Sequence, residues 1–445
     1  MNRLVLILLC GLVLLALPRT AFAAGPPNVL VIVTDDQRTG STTVMPKTQR
    51  WFGTHGRSYR NAFVTTPLCC PSRASIFTGL YAHNHGITNN GSGGLPQEAT
   101  VQRYLTDAGY ATGMIGKFLN TWRVSRNPPY FNRWALTGTE AAYFNPIVNL
   151  DGTVQQVPGY TTSFARRKAV SFLRSFETAN DAQPWFLYVS TRAPHAPATP
   201  AARYEDAPVP PWSMNPAVRE TDLSDKPPWV RAGGRSQDWV RSFRAQQLRT
   251  LMSVDELVDE VFRELGALGE RRDTLAVFLS DNGFMWGEHG LASKRYPYTD
   301  SVKVPLLMRW PGHIAAGSMD SRFALNVDIA PTILAAAGVA PLTPMDGRDL
   351  LADWSRPHLF TEYWTDIDHS DIPSWDSIRT RRAHYIRHYN ADRSRVVFRE
   401  YYRLRSDPWE LQNVLRDGIP TNNPSTDRLD RLIKRYRSCA GATCP

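Results

Sequence analysis

Asp35 and Asp36 follow directly on the apolar run Asn28-Val-Leu-Val-Ile-Val-Thr34. Two adjacent carboxylates at the end of a core strand raise each other's pKa and need a compensating charge. Hard oxygen ligands at such a point suit Ca²⁺ or Mg²⁺. A second oxygen pair, Asp281-Asn282, ends another apolar run, Thr274 to Ser280. Between these pairs lies Cys69-Cys70-Pro71-Ser72-Arg73, where proline and serine open a helical pattern that Gly79 closes. The cysteines are therefore expected at or just before a helix N-terminus, where free N–H groups and the helix dipole favour an anion. Lys117 ends the short run Ala111 to Ile115. His195 sits in the loop Ala193-Pro194-His195-Ala196-Pro197 beyond the run Trp185 to Ser190. Loops beyond core strands are where catalytic groups of α/β folds collect. Lys294 follows in Ser293-Lys294-Arg295. Each of these also has a plain structural reading: packed cysteines, a polar turn, a boundary lysine, a solvated histidine.

Taken together they are more specific. Cys69-x-Pro71-Ser72-Arg73 followed by Thr78-Gly79 resembles the signature of the type I sulfatases. The longer run from Leu68 through Tyr81, His83, Asn84 and His85 is similar to the branch holding the N-acetylglucosamine-6-sulfatases and the extracellular heparan sulfatases. In that family a formylglycine-generating enzyme oxidises the first cysteine to formylglycine (3-oxoalanine), whose hydrate is the nucleophile. The resemblance implies that Cys69 is the modified residue, that Pro71 and Arg73 are read by the modifying enzyme, and that Cys70 is a bystander. It further implies one Ca²⁺ held by Asp35, Asp36, Asp281, Asn282 and residue 69. Arg73 would steady the diol, Lys117 and Lys294 would bind the sulfate, and His195 would face its leaving-group side. His289, in Gly287-Glu288-His289, could assist or be structural. Lys117-Phe118-Leu119-Asn120 places Leu119 where many members carry a histidine, as the glucosamine-6-sulfatase-like branch also does. Near the C-terminus, Asp407-Pro408-Trp409-Glu410-Leu411-Gln412-Asn413 resembles the family's D-P-x-E-x-x-N element.

The activity so implied is hydrolysis of sulfate monoesters, on 6-O-sulfated glucosamine in a glycosaminoglycan or similar glycan, with aryl sulfates as artificial substrates. Two other classes stay open: a broad arylsulfatase or phosphomonoester or phosphonate hydrolase on the same scaffold, and a non-catalytic glycan-binding protein. The fold implied is an alkaline-phosphatase-like α/β sandwich. It has a large, mostly parallel mixed sheet flanked by helices, and a small C-terminal α+β subdomain with an antiparallel sheet.

The elements that must position these groups are visible as patterns. Helices are expected near Thr100 to Ala108, Ser163 to Phe176, Asp238 to Leu268 and Asp328 to Gly338, and a further buried strand at Val304 to Trp310. On the long helix, Asp255, Glu256, Asp259 and Glu260 read as a solvated face. Arg123 to Pro158 is irregular and aromatic, either a sugar cleft or a packed excursion. Tyr204 to Arg235 reads as a surface insertion. After Leu351 to Pro357 the composition turns β-rich, in runs Leu359 to Tyr363, Ser377 to Arg387 and Arg395 to Leu404, before a final basic helix. Arg381, Arg382, His384, Arg387 and His388 read as the exposed face of a strand.

Arg3, the apolar run Leu4 to Leu17 and Ala21-Phe22-Ala23 form a secretory leader, too short to span a bilayer. The division expected is a signal peptide 1–23, a catalytic domain 24–355 and a C-terminal subdomain 356–445. Export makes a short Cys439–Cys444 disulfide plausible and leaves Cys70 a buried free thiol. With 42% hydrophobic and 21% charged residues the chain is globular. The formal charge of +10, lowered by loss of Arg3 and Arg19, fits a secreted or periplasmic protein steering a polyanionic substrate. Neither nucleic acid nor stable membrane insertion is expected, and the sequence is silent on oligomeric state.

Overall fold

Strand β1 (Asn28–Thr34) is buried at all seven residues, and a strand apolar on both sides has to be covered on both. In the computed structural model, which describes residues 25–138, 142–232, 234–365 and 371–445, its two faces go to separate cores. Val29, Val31 and Val33 pack with the helices Cys69–Thr78, Val101–Asp107 and Ile329–Ala337. Leu30 and Ile32 pack with Thr161–Asn180 and Gln237–Ala267. The period-two alternation of a strand thus splits one run between two helical layers.

The other strands of this sheet are β2 (Arg57–Phe63), β3 (Ala111–Gly116), β4 (Arg133–Thr137), β5 (Ile147–Leu150), β6 (Thr153–Gln156), β7 (Trp185–Ser190), β8 (Thr274–Ser280), β9 (Leu306–Arg309) and β10 (Ser318–Leu325). Their order is β10-β2-β9-β8-β1-β7-β3-β4-β5-β6. β8, β1, β7, β3 and β4 run parallel, whereas β9 and the β5–β6 hairpin are antiparallel to their neighbours. Register sets Thr34 opposite Ser280, and Ser190 opposite both Val33 and Gly116. The residues that follow these strands therefore emerge side by side on one edge, the usual place for a ligand in such a sheet. Gly116 has φ +89°, and a Cβ there would collide with the Ser190 carbonyl, so the last step before Lys117 requires glycine.

A second sheet, β11 (His358–Tyr363), β12 (Trp375–Thr380), β13 (His384–Tyr389) and β14 (Val396–Tyr402), is antiparallel in that order. It joins the first through a third core, in which Tyr363, Trp375 and Tyr385 meet Phe63, Val64 and Leu68. The terminal helix Asp427–Arg437 adds Ile433 and Tyr436.

Several expectations from the sequence are corrected here. Ser377 to Arg387 is not one strand but two, because the chain turns from β12 to β13 at Arg381 and Arg382, where the Thr380 N–H donates to the Ala383 carbonyl at 2.8 Å and the Thr380 hydroxyl accepts the Ala383 N–H at 2.9 Å. Arg123 to Pro158 carries β4, β5 and β6, short strands with too little alternation to stand out. Asp255 and Asp259 are not solvated: Asp255 Oδ1 accepts the Thr48 N–H and hydroxyl, and Asp259 Oδ1 accepts Arg50 and Trp51. Of the five basic residues expected on one exposed strand face, only Arg381 and Arg382 are exposed, while His384, Arg387 and His388 are buried. The insertion is anchored by Lys226, whose Nζ donates to the Leu411 carbonyl at 2.5 Å and pairs with Glu220 and Asp225 of the insertion itself at 3.0 and 2.9 Å. Cys439 and Cys444 are bridged, and Cys70 is a buried free cysteine. The leader 1–23 lies outside the described residues; among those described, no helix is long and apolar enough to cross a membrane.

Glu410 of the C-terminal element is buried where the two sheets meet. Its Oε1 accepts from Arg379 at 2.9 Å and faces His384 Nδ1 at 2.7 Å, while Oε2 accepts the Thr299 N–H at 2.9 Å. Burial alone would raise the carboxyl; His384, Arg379 and the Thr299 N–H outweigh it and hold it well below the usual carboxylate range. A depressed folded-state value means that the stabilisation is complete above the unfolded value and drains away as pH falls toward the folded one. Glu410→Gln is expected to cost about 3 kcal/mol at pH 7 in urea denaturation. The gap to wild type should narrow as pH drops below about 4.3.

Candidate active site

The Cys69–Thr78 helix is buried at all ten residues. Leu68, extended at its N-cap, offers no side-chain cap, and Gly79 (φ 69°) closes the other end through its N–H to Ser75. The first turn, whose Cys70 N–H donates to Asn90 Oδ1 at 3.2 Å, opens toward the edge where β1, β7, β3 and β8 end. Asp36 leaves β1 with φ 69°, a left-handed conformation uncommon for a non-glycine residue and characteristic of functional sites.

All the expected residues converge there. One ligand atom each from Asp35, Asp36, Cys69 and His195 lie within 4.8 Å of one another. Lys117 Nζ donates to Asp35 Oδ2 at 2.5 Å, and Lys294 Nζ donates to Asp36 Oδ1 at 2.5 Å and to Cys69 Sγ at 2.7 Å. Cys69 Sγ lies 3.5 Å from Asp35 Oδ1. Arg73, fully buried, donates from Nε to Asp281 Oδ2 at 2.7 Å and from Nη1 to the Lys117 carbonyl at 3.0 Å and Ser190 Oγ at 2.5 Å. Asp281 Oδ1 accepts the Asp36 N–H at 3.1 Å, and Asn282 Nδ2 donates to Asp36 Oδ1 at 2.6 Å. Asp281 is therefore already engaged on both oxygens, unlike Asp36, whose Oδ2 among the described residues faces only His195 Nε2 at 3.8 Å. His195 Nδ1 points to the Ala196 carbonyl at 2.7 Å, which leaves Nε2 toward the site. Leu119 and Phe118 are buried in the core, which accounts for an apolar residue beside the site lysine.

Two supporting residues carried no sequence signal of their own. Ser190 receives the Arg73 guanidinium, and its only mark was its place as last residue of a buried strand. Tyr143, within the aromatic stretch, donates its hydroxyl to the His195 carbonyl at 2.6 Å and so steadies that loop. His289 is tied to Glu220 at 2.5 Å, and its ring packs on Tyr298, so it is held away from the cluster.

The electrostatics follow from burial and charge. Burial would raise Asp35, but Lys117, His195, Arg73 and Lys294 outweigh it and hold its carboxyl well below the usual range. Burial and the negative neighbour Asp35 push Asp281 up to about 6 despite Arg73. Burial would lower Lys294; Asp36, Cys69 and Asp35 instead raise it, so it stays an ammonium. Burial lowers His195 and pushes the Cys69 thiol up to about 12 in spite of Lys117 and Lys294. At neutral pH the encoded thiol is thus not a thiolate and is a weak nucleophile.

The donors fit a hard divalent cation. Asn282 Oδ1 is buried without a hydrogen-bond partner, Asp36 Oδ2 has room, and the set is predominantly oxygen. Three carboxylates against Arg73, Lys117 and Lys294 are roughly neutral as a group. A cation would make the pocket positive, as an anionic substrate needs.

Comparison with known proteins shows what the chain as a whole is similar to. Residues 27–339 match the Sulfatase family model, and residues 287–437 match that of the N-sulphoglucosamine sulphohydrolase C-terminal region. The extracellular sulfatase SULF-1 homolog of Drosophila melanogaster is 36% identical over 366 residues, 76% of this chain; the chain spans only 32% of that protein's length. The N-acetylglucosamine-6-sulfatase of Homo sapiens is 28% identical, with 94% of this chain and 86% of that protein covered. A solved structure in complex with its substrate D-glucosamine-2-N,6-O-disulfate superposes with a TM-score of 0.79 at 25% identity, covering 93% of this chain and 97% of the other.

Arg73 ties the helix, β3, β7 and β8 together at one guanidinium. Arg73→Lys keeps the charge but cannot serve Asp281, Ser190 and a carbonyl at once. It is expected to lose about 3 kcal/mol of stability, read from chemical denaturation.

Proposed function

The chain belongs to the sulfatase family, and on that premise we propose that it is an exported type I sulfatase acting on sulfated sugars of the glucosamine 6-sulfate kind. The observation that carries this reading is the setting of Cys69: a buried, protonated thiol at a helix N-terminus, touched by Lys294 and bordered by cation-suited oxygens. An inert cysteine in such a place makes chemical sense as a precursor. Converted to formylglycine, residue 69 would supply two geminal hydroxyls, one to attack sulfur and one to expel the sulfate afterwards. A Ca²⁺ held by Asp35, Asp36, Asp281, Asn282 and residue 69 would acidify the attacking hydroxyl and share the sulfate charge.

The chain's own groups do the rest. Lys294, in contact with both Cys69 and Asp36, lies where it can hold a sulfate oxygen beside the attacking atom. Lys117, on Asp35, takes up charge from the other side. Arg73 holds Asp281 and the β3 end in place and so fixes both the helix and Lys117. His195 presents Nε2 to the leaving-group side and passes a proton to the departing alcohol, with a lysine as the alternative donor. In this reading residues 24–355 are the catalytic domain, residues 356–445 brace it, and residues 1–23 are removed on export.

Cys69, Pro71 and Arg73 are all buried, so a formylglycine-generating enzyme would have to meet them before the chain folds. Enzyme added to the folded, unmodified protein should convert little of it, whereas co-expression should remove about 18 Da from the tryptic peptide bearing residue 69. Sulfate release from a 6-O-sulfated glucosamine should follow conversion; turnover of aryl phosphate in preference to aryl sulfate would sink the sulfatase assignment. Cys69→Ser should complete at most one turnover, since serine has no second hydroxyl, and steady-state cycling at the wild-type rate would contradict the mechanism. Chelation should abolish activity and lower the melting temperature, with added Ca²⁺ restoring both.

A further inference from the structure

The final helix, Asp427–Arg437, carries cations that the proposed mechanism does not use. Its inner side is fixed by Ile433 and Tyr436 in the third core. Arg428, Arg431, Lys434 and Arg435 project outward, exposed, and form no ion pair among the described residues. The opposing charge is small: Asp430 is taken up by Arg387 at 2.9 Å, and Asp427 lies in the first turn. Helix-dipole compensation accounts for Lys434 and Arg435 in the last turn, but not for Arg428 in the first, where a cation is unfavourable. Arg428, Arg431 and Arg435 are spaced three and four residues apart, so they share one face over about 10 Å of axis.

That face borders two clefts. One, of about 480 Å³, runs between the helix and the start of β11, lined by Pro357, His358, Arg428, Arg431, Leu432 and Arg435. The other, of about 550 Å³, is lined by Arg387, Arg431, Lys434, Arg437 and Ser438, with Asp430 as its one acidic residue. Arg431 stands on the ridge between them and lines both. His358, on the wall of the first cleft, is pushed down to about 4 chiefly by burial, with Arg356, Arg428, Arg435 and Arg348 adding to it.

We propose that this helix and its two flanking clefts form a docking surface for an extended polysulfated sugar chain, separate from the reaction centre. Such a surface holds a polymeric substrate near the enzyme between cleavage events and raises its local concentration, without touching the scissile ester. Adjacent apolar walls from Pro357 and Leu432 suit the faces of sugar rings beside the cations. The proposal deepens the sulfatase reading and rests on it for the identity of the polyanion.

The test uses the full, modified enzyme with Arg428→Gln, Arg431→Gln, Lys434→Gln and Arg435→Gln combined. All four side chains are exposed, so the melting temperature should be unchanged. Binding of a heparin-derived dodecasaccharide should weaken about tenfold or more at physiological salt. KM for sulfated polysaccharide should rise, with kcat, and kcat/KM for a small aryl sulfate, as in wild type. Unchanged affinity and polymer KM would overturn the proposal. So would a wild-type preference for duplex DNA of equal charge, which would mark an unselective cationic surface. If the wild type cleaves no sulfate ester yet the quadruple variant loses dodecasaccharide binding, the docking surface stands and the sulfatase assignment falls.

Discussion

Everything at the reaction centre depends on a cluster of buried charge. Asp35, Asp36 and Asp281 are nearly inaccessible to water, and ions in such a place are tolerated only when opposite charges meet them at hydrogen-bonding distance. Arg73, Lys117 and Lys294 do so from three different segments, a helix, a strand end and a loop. The cluster therefore acts as a geometric lock. Moving any one of these segments strands a charge in low dielectric, at a cost of several kcal/mol.

The sheet is what makes that lock affordable. Parallel strands β8, β1, β7 and β3 end together, so residues far apart in sequence reach one edge without long loops. Gly116 lets β3 pass against the Ser190 carbonyl, and Ser190 in turn receives the Arg73 guanidinium. The second sheet braces the arrangement from outside through Glu410, which reaches across to the Thr299 backbone. A catalytic edge built in this way can be rigid while its binding surroundings vary. Rigidity of this kind is what electrostatic stabilisation of a transition state requires.

The Cys69 thiol illustrates the same constraint from the other direction. Two lysines nearby would ordinarily lower a thiol, yet burial prevails and the group stays protonated. Beside hard oxygen donors, a buried neutral thiol is a poor nucleophile.

Much of this was legible in the sequence. Uninterrupted apolar runs marked β1, β7 and β8, because strands buried on both faces tolerate no polar residue. Asp35, Asp36, Lys117, His195 and Asp281 stood out as residues beyond strand ends, and the resemblance to the type I sulfatases gave them their expected roles. Pro71, Ser72 and Gly79 marked the helix that Cys69 opens, and the resemblance of Cys69-x-Pro71-Ser72-Arg73 to the sulfatase signature singled out Cys69 and Arg73. The fate of polar residues was not legible. Asp255, Asp259, His384 and His388 read as surface because pattern alone cannot see a partner such as Thr48, Glu410 or Glu400 that lies distant along the chain. The weak strands β2, β4, β5 and β10 were also missed, since their residues gain strand geometry from neighbours rather than from their own alternation. The sequence by itself thus determined the core strands and the list of reactive side chains, both encoded within a few adjacent residues. Only the tertiary structure decided their pairings, the roles of Ser190 and Tyr143, and the meeting of the basic helix with Pro357 and His358 along one cleft, because each rests on contacts between segments that only folding brings together.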